Sequence, residues 1–351
     1  MSFGVHLIAT IEVRDGRPSP AGFRDLVSMA DDYGFERITT GEHSSGGRLE
    51  CITALAVMAM STRTAHVGPM VTNGITRDVG VSAAAVASLD SLSGGRSFYV
   101  LGRGNAGIRN AGLRPSSVSE ARAYFLALRD LLRTGHAAYR GRQVVLDWPV
   151  RPSHVPLYMV AEGPIMLGLA GEIADGVYIG SGLLEDVVAD NLQRVRAGAL
   201  RAGRDPADLD IWWEARCAVA ASHDEAVRMV RESLSSVGNH ALRGDYAAKL
   251  VPEELVDPLR EYHARYNYRK HGRRVTARGA VGSGPPTNAD LMDELGLTGY
   301  FLDRFGVVGT PQQVIERLER LRGLGVDRVN LNAWDRADLR LLGEQVLPKI
   351  I

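Results

Sequence analysis

The sequence predicts an α/β fold, a (β/α)8 TIM barrel with a large insertion between strands 7 and 8. Three observations point there: short apolar runs alternate with helical-period segments along the chain, eight such units can be counted, and no run of strands alone interrupts them. Alternation by itself allows either a doubly wound sheet or a closed barrel, and eight units favour closure. At 351 residues the chain would make about two domains of ordinary size, yet α/β barrels run longer as one, so residues 1–351 are read as a single domain.

Residues 3–9 are a continuous apolar run. In 19–33, Phe23, Leu26, Val27 and Ala30 follow at i, i+3, i+4, i+7 spacing, so a strand precedes a helix that Gly34 ends. A strand over 36–40 delivers Gly41-Glu42-His43-Ser44 at its carboxyl end, and 49–60 is a helix apolar nearly all round. The runs 65–71 and 96–102, separated by the Ala- and Val-rich 78–91, form a βαβ unit with parallel strands. A helix over 119–132 begins with a serine cap but, with Arg122 three residues on, without a full capping box. After a polar excursion over 134–153 come a strand (155–160), a helix (165–174), a strand (176–180), a helix (184–202), a strand (211–220) and a helix (224–236) capped by Ser222.

Regularity then fails over 238–305, which carries short helical pieces around 252–263 and 288–295 and is too long for a plain connection. Thr310-Pro311 starts a helix over 312–324 with proline at its first position, followed by a strand (326–331) and a closing helix (337–347).

Composition narrows the function. Lys+Arg and Asp+Glu are equal at 41 each, which gives no general attraction to nucleic acid. No apolar run reaches membrane-spanning length, and no charged n-region or cleavage site precedes the first strand. Cys51 and Cys217 fit no metal or redox spacing, and the histidines lack metal spacing, so a cytoplasmic protein with reduced cysteines and no metal is expected. Serine-hydrolase, zincin and P-loop motifs are missing from the sequence.

In parallel α/β sheets, ligands collect at the carboxyl ends of strands. Val71-Thr72-Asn73-Gly74 and Gly102-Arg103-Gly104-Asn105 therefore face one site. The second loop contains a literal G-x-G-x-x-G ending at Gly107, but Gly112, Pro115 and a serine cluster delay any helix until about Ser119, which argues against a dinucleotide fingerprint. Gly163-Pro164 before Ile165 and Met166 is either a helix N-terminus offered to a phosphate or an ordinary strand–helix turn. Gly180-Ser181 at the next strand end either completes that site or is merely flexible. The insertion gathers Arg265, Arg269, Lys270, Arg273, Arg274 and Arg278 with Tyr262, Tyr266 and Tyr268, as a solvated face or as a lid.

Several segments together resemble the luciferase-like superfamily of flavin- and deazaflavin-dependent oxidoreductases. They are Gly68-Pro69-Met70-Val71-Thr72-Asn73 with Thr76-Arg77; Ser91-Leu92-Ser93-Gly94-Gly95-Arg96 with Leu101-Gly102-Arg103-Gly104; Val155-Pro156-Leu157-Tyr158 through Gly163-Pro164-Ile165-Met166-Leu167 to Gly171-Glu172-Ile173-Ala174-Asp175-Gly176; and Val308-Gly309-Thr310-Pro311-Gln312-Gln313-Val314 with Leu324-Gly325-Val326-Asp327. Thr72-Asn73 before Thr76-Arg77, and Tyr266-Asn267-Tyr268 before His271-Gly272, are most similar to the methylenetetrahydromethanopterin reductase branch, which uses coenzyme F420. The Glu42-His43 pair is similar to that of FMN monooxygenases.

The resemblance implies hydride transfer between F420 and a small organic substrate. The alternatives are FMN-dependent monooxygenation and a non-catalytic flavin-binding protein. It implies that His43, with Glu42, handles a proton beside the cofactor ring, although a histidine merely bonded to Glu42 fits the residues too. Cofactor contacts are expected from Met70, Val71, Thr72, Asn73, Gly102, Gly104, Asn105, Glu162, Gly163, Pro164, Ile165, Met166, Gly180 and Ser181. A cis peptide at Met70–Val71 and a homodimer built on the 49–60 helix are also implied.

Overall fold

The computed structural model describes residues 1–7, 12–14, 17–42, 49–147, 154–270, 286–333 and 335–350. Eight parallel barrel strands are β1 (Ser2–Leu7), β2 (Arg37–Thr40), β3 (His66–Pro69, continued by Thr72–Asn73), β4 (Tyr99–Gly102), β5 (Leu157–Ala161), β6 (Gly176–Ile179), β7 (Asp210–Glu214) and β8 (Arg328–Ala333). Neighbours run in chain order, and β8 pairs back with β1 from Ser2↔Arg328 to Leu7↔Ala333. The third strand is the seam: its first half pairs with β2 (Thr40↔Pro69), its second half with β4 (Asn73↔Gly102), and the Met70–Val71 peptide between them is cis, as the resemblance implied.

The main helices are α1 (Pro20–Asp32), α2 (Cys51–Ser61), α3 (Val79–Ser93), α4 (Val118–Thr134), α5 (Pro164–Ile173), α6 (Glu185–Arg201) and α7 (His223–Ala241). Period-2 alternation sorts the strand residues. Val5, Ile38, Tyr99, Met159, Val177, Trp213 and Leu331 point outward into the main core beneath the helices, whereas Met70, Phe98, Val100, Tyr158, Tyr178 and Trp212 fill the barrel.

Several local expectations need correction. The α4 cap is Ser117, whose hydroxyl accepts from Glu120 N–H while the Glu120 carboxylate accepts from Ser117 N–H, so the capping box is complete; the serine cluster had hidden which serine caps. A short helix, Ala106–Asn110, follows the glycine loop directly instead of waiting for Ser119. The polar excursion contains a hairpin, His136–Tyr139 with Arg142–Val145. The seventh strand breaks at Ala215, and its continuation, Arg216–Val219, pairs with a short strand, Gly306–Gly309, just before the helix Pro311–Gly323.

The largest difference concerns 238–305. Helix α7 runs five residues past Ser236, because Gly238 is needed where Phe301 packs: a Cβ there would meet the ring at 2.0 Å. Helices Val256–Arg265, Asn288–Glu294 and Thr298–Phe305 then pack on α7 around Val230, Leu234, Tyr262, Met292 and Phe301, a second apolar cluster beside the barrel. Residues 273, 274 and 278 of the expected basic cluster lie outside the described residues, as do His271 and His43.

At the amino end of the lumen the Arg37 guanidinium lies 4.4 Å from the Trp212 ring centroid, 4.6 Å from Tyr158 and 4.7 Å from Phe98. It donates to Asp210 (2.6 Å), Tyr158 (2.7 Å) and Tyr178 (3.0 Å), while Arg328 holds the other Asp210 oxygen at 2.8 Å. Removing one partner of a buried ion pair costs about 3–5 kcal/mol. Arg37→Ala is therefore expected near the lower end of that range in urea unfolding, Arg328 still balancing Asp210, and a loss below about 1 kcal/mol, the worth of a surface pair, would contradict a buried role.

Candidate active site

With its base filled, the lumen opens at the carboxyl ends of the strands. Inward-facing positions there are His6 (β1), Thr39 (β2), Gly102 (β4), Glu162 just after β5, Gly180 just after β6, Glu214 at the end of β7 and Asn330 and Asn332 on β8, as the alternation requires. The mouth thus carries two carboxylates. Glu162 pairs with His240 Nδ1 of α7 at 2.6 Å. Burial opposes its charge, but His240, Lys249 and Arg216 together hold the carboxyl below the usual range. Glu214 accepts from Asn330 Nδ2 at 2.9 Å; burial, with some help from the Glu162 charge, pushes it up to about 7 against the pull of Arg216 and Asn330.

Where β3 meets β4, Val71 packs on the lumen side and the polar side chains turn away. Thr72 turns its hydroxyl to the Glu42 carboxylate, and Asn73 Oδ1 accepts from the N–H groups of Ile75 and Thr76, both at 2.9 Å. Both side chains therefore hold the loop and leave the backbone facing the mouth. Beside them, a Cβ at Gly102 would lie 2.5 Å from Val71 Cγ2, so only glycine fits. Glu42 also accepts from Thr76 Oγ1 and Arg77 Nε, each at 3.1 Å, so its carboxylate braces the loop after β3; Arg77 bonds Glu50, which caps α2.

Of the remaining expected contacts, Gly163 is the N-cap of α5 with no side-chain cap bond and Pro164 sits at its first position, so the N–H groups of that turn are not spent on a side chain. Ile165 is largely exposed and Met166 is buried in the outer core, so their side chains face away from the lumen. Gly104 is left-handed at φ 86°, and Asn105 makes no side-chain cap bond at the following short helix. Gly180 lies opposite Glu162, whose Oε1 would be 3.1 Å from a Cβ placed there. Ser181 is buried and committed: its hydroxyl accepts from Asn191 and its carbonyl from Arg304 Nε at 2.9 Å. Among the described residues no group of His, Cys, Asp and Glu is arranged to hold a metal, and both cysteines are buried as thiols outside any disulfide.

Sequence reasoning missed Glu214, Arg216, His240 and Lys249. Reading 211–220 as one unbroken strand hid a strand end at Glu214; the same strand-end rule used for β3 and β4 would have found it. His240 was hidden because α7 was ended too early. Of the insertion's tyrosines, Tyr262 and Tyr266 are core, and Tyr268 lies between Arg109 (5.4 Å) and Arg243 (5.5 Å). Arg265 is bonded to Glu261 and Glu294.

The chain is 26% identical to the 5,10-methylenetetrahydromethanopterin reductase of Methanolobus tindarius over 99% of this chain and 100% of that protein. Among solved structures it resembles the coenzyme F420 dependent tetrahydromethanopterin reductase from Methanopyrus kandleri, with a TM-score of 0.72 and 23% identity over 100% of this chain and 99% of that one. It also resembles an F420-dependent secondary alcohol dehydrogenase in complex with an F420-acetone adduct, with a TM-score of 0.71 and 16% identity over the same shares. At such identities the structural likeness speaks for the fold alone, the (β/α)8 barrel expected from the alternating units. A family model described as luciferase-like monooxygenase matches residues 1–328, nearly the whole barrel, and the chain belongs to that family.

Proposed function

We propose that the protein is an oxidoreductase that transfers hydride between coenzyme F420 and a small organic substrate at the carboxyl-terminal mouth of the barrel. The observation that carries this reading is the apolar wall at the meeting of β3 and β4, where Val71 packs over Gly102. There Thr72 and Asn73 turn their polar side chains into the loop, so a flat ring can lie against Val71 and the backbone. Two of the solved structures it resembles, both titled for F420, align over the full length of the chain and favour this cofactor. Bound there, F420 would supply the hydride.

The chain's own residues would do the rest. The backbone from Met70 to Asn73, with Gly102, Gly104 and Asn105, would bear on the ring. The N–H groups at the start of α5, from Gly163 through Ile165 and Met166, with Gly180 and Ser181 alongside, would take the phosphate. Glu42, fixed by Thr76 and Arg77, would brace the loop next to His43. A single domain over 1–351, with the described part of the 238–305 insertion beside the mouth through His240 and Lys249, belongs to the same proposal.

A homodimer is proposed through α2 and its neighbour α3, which leave Met60 73% and Val81 57% exposed. The buried thiols, in no disulfide, accord with a cytoplasmic setting, and no described helix is long and apolar enough to cross a membrane.

Titration with oxidised F420, with FMN and with NADPH tests the reading: F420 is expected to bind at least ~10-fold tighter than FMN, a difference of about 1.4 kcal/mol. Tight FMN binding with oxygen consumption would replace it with monooxygenation. His43→Ala is expected to lower turnover by about 10²–10⁴-fold with little change in F420 affinity, the usual worth of general acid–base catalysis; unchanged turnover would return His43 to a structural role. Light scattering at micromolar concentration should give twice the chain mass, and a monomer would remove the dimer.

A further inference from the structure

The hydride-transfer reading gives His43 a proton beside the ring and leaves unassigned the proton that the substrate must take up. Glu214 ends β7 on the lumen side, partly exposed at the mouth. It lies within charge range of Arg216 on the continuation of its own strand and of Glu162 after β5, and it is bonded to Asn330 of β8. Glu162 is matched in turn by His240 of α7 and Lys249 of the insertion. Lys249 is pinned, donating to the carbonyls of Ala241 (2.7 Å) and Arg243 (2.5 Å), so its position is fixed by the insertion. Glu162 thus has His240 and Lys249 besides Arg216, whereas Glu214 has Arg216 and one neutral amide. The two carboxyls therefore differ in what surrounds them, which is how a site separates an acid from a permanent anion.

A further observation points to Glu214. Asn330 is 1% exposed, and its Oδ1 has no hydrogen-bond partner. With its Nδ2 on a Glu214 oxygen, the amide serves the ionised carboxylate; turned over, it would offer Oδ1 to a protonated carboxyl, so either state of Glu214 can be met without moving the barrel.

We propose that Glu214 is the proton donor to the substrate in the reductive direction, and the acceptor in the reverse, with Asn330 as its positioning residue. The inference rests on the F420 reading, and the substrate class is a compound with a polarised C=O or C=N bond. Bound in its reduced form, the deazaflavin would supply a hydride, hydrogen with both electrons of its C–H bond, for the new C–H bond at the electrophilic carbon. The π pair moves onto the heteroatom, which takes the Glu214 proton. Glu214 is left ionised and regains a proton from water at the mouth, while the ring proton that the deazaflavin would release is left to His43 and solvent. The substrate gains two hydrogens and the deazaflavin loses two.

With a carboxyl at about 7, Glu214 carries its proton below that pH and loses it above, so reduction should fall as pH rises through 7. The first test needs no cofactor: carbon NMR of the apoprotein labelled at glutamate side-chain carboxyls, titrated from acid to alkaline pH. One carboxyl should titrate near 7, vanish in Glu214→Gln, and move to higher pH in Asn330→Ala, which removes a bond that favours the charged form. The second is kinetic: Glu214→Gln should bind F420 as the wild type does, lower kcat by about 10²–10⁴-fold and lose the alkaline limb of the pH profile, and Glu214→Asp should restore that limb. A spectrum in which every glutamate titrates in the ordinary range, or wild-type kcat in Glu214→Gln, overturns the assignment. Failure of the wild type to bind F420 would overturn the hydride donor instead, and the apoprotein titration would still decide the proton site.

Discussion

The barrel depends on how it accommodates one buried cation. Arg37 opens β2 and points into the lumen, where an unmatched guanidinium would be prohibitively costly. Four aromatic rings surround it, those of Phe98, Tyr158, Tyr178 and Trp212, drawn from β5, β6, β7 and the residue just before β4. Asp210 supplies the counter-charge, and Arg328 across the β7–β8 pair takes its second oxygen. One charged group thereby fixes the relative depth of most of the strands and fills the base of the barrel. The open end, and with it any ligand, is left at the carboxyl termini.

A second buried cation does the corresponding work for the insertion. Arg304, fully buried at the end of its last helix, donates to the carbonyls of Ser181, Lys249 and Leu250 and to the Tyr300 hydroxyl. It therefore ties the β6 loop to the segment that carries Lys249. Gly182 is required beside it, since it is left-handed at φ 128° and a Cβ would meet Arg304 Cγ at 2.5 Å. Through this tie the charge environment of Glu162 comes partly from the insertion and partly from the barrel.

Much of the barrel was legible in the sequence because its signals are local. The strand runs, the Pro164 and Pro311 helix starts and the Gly34 stop depend on period and backbone preference, which a few neighbouring residues determine. The strand-end rule brings Val71–Gly74 and Gly102–Asn105 to one mouth, and the paired register Asn73↔Gly102 places those two loops side by side. The break in the seventh strand and the extension of α7 were not legible, because no turn residue marks either one. The pairing of Arg216–Val219 with Gly306–Gly309 and the Gly238–Phe301 contact decide them, across about 60 to 90 residues of chain.

The sequence by itself determined the alternation of elements, their count and the family, all properties of short segments read in order. Only the tertiary structure decided which polar side chains are spent on holding loops and which remain for chemistry. Thr72, Asn73 and Ser181 stood out in the sequence and turn out to be committed to hydrogen bonds with their surroundings. Glu214 carried no motif, and its proton affinity arises from burial and an anion just after β5, against the pull of Arg216 and the Asn330 amide. The physical reason is that a carboxyl's charge state is set by everything within several ångströms, and closure of the barrel brings those groups together from strands more than fifty residues apart.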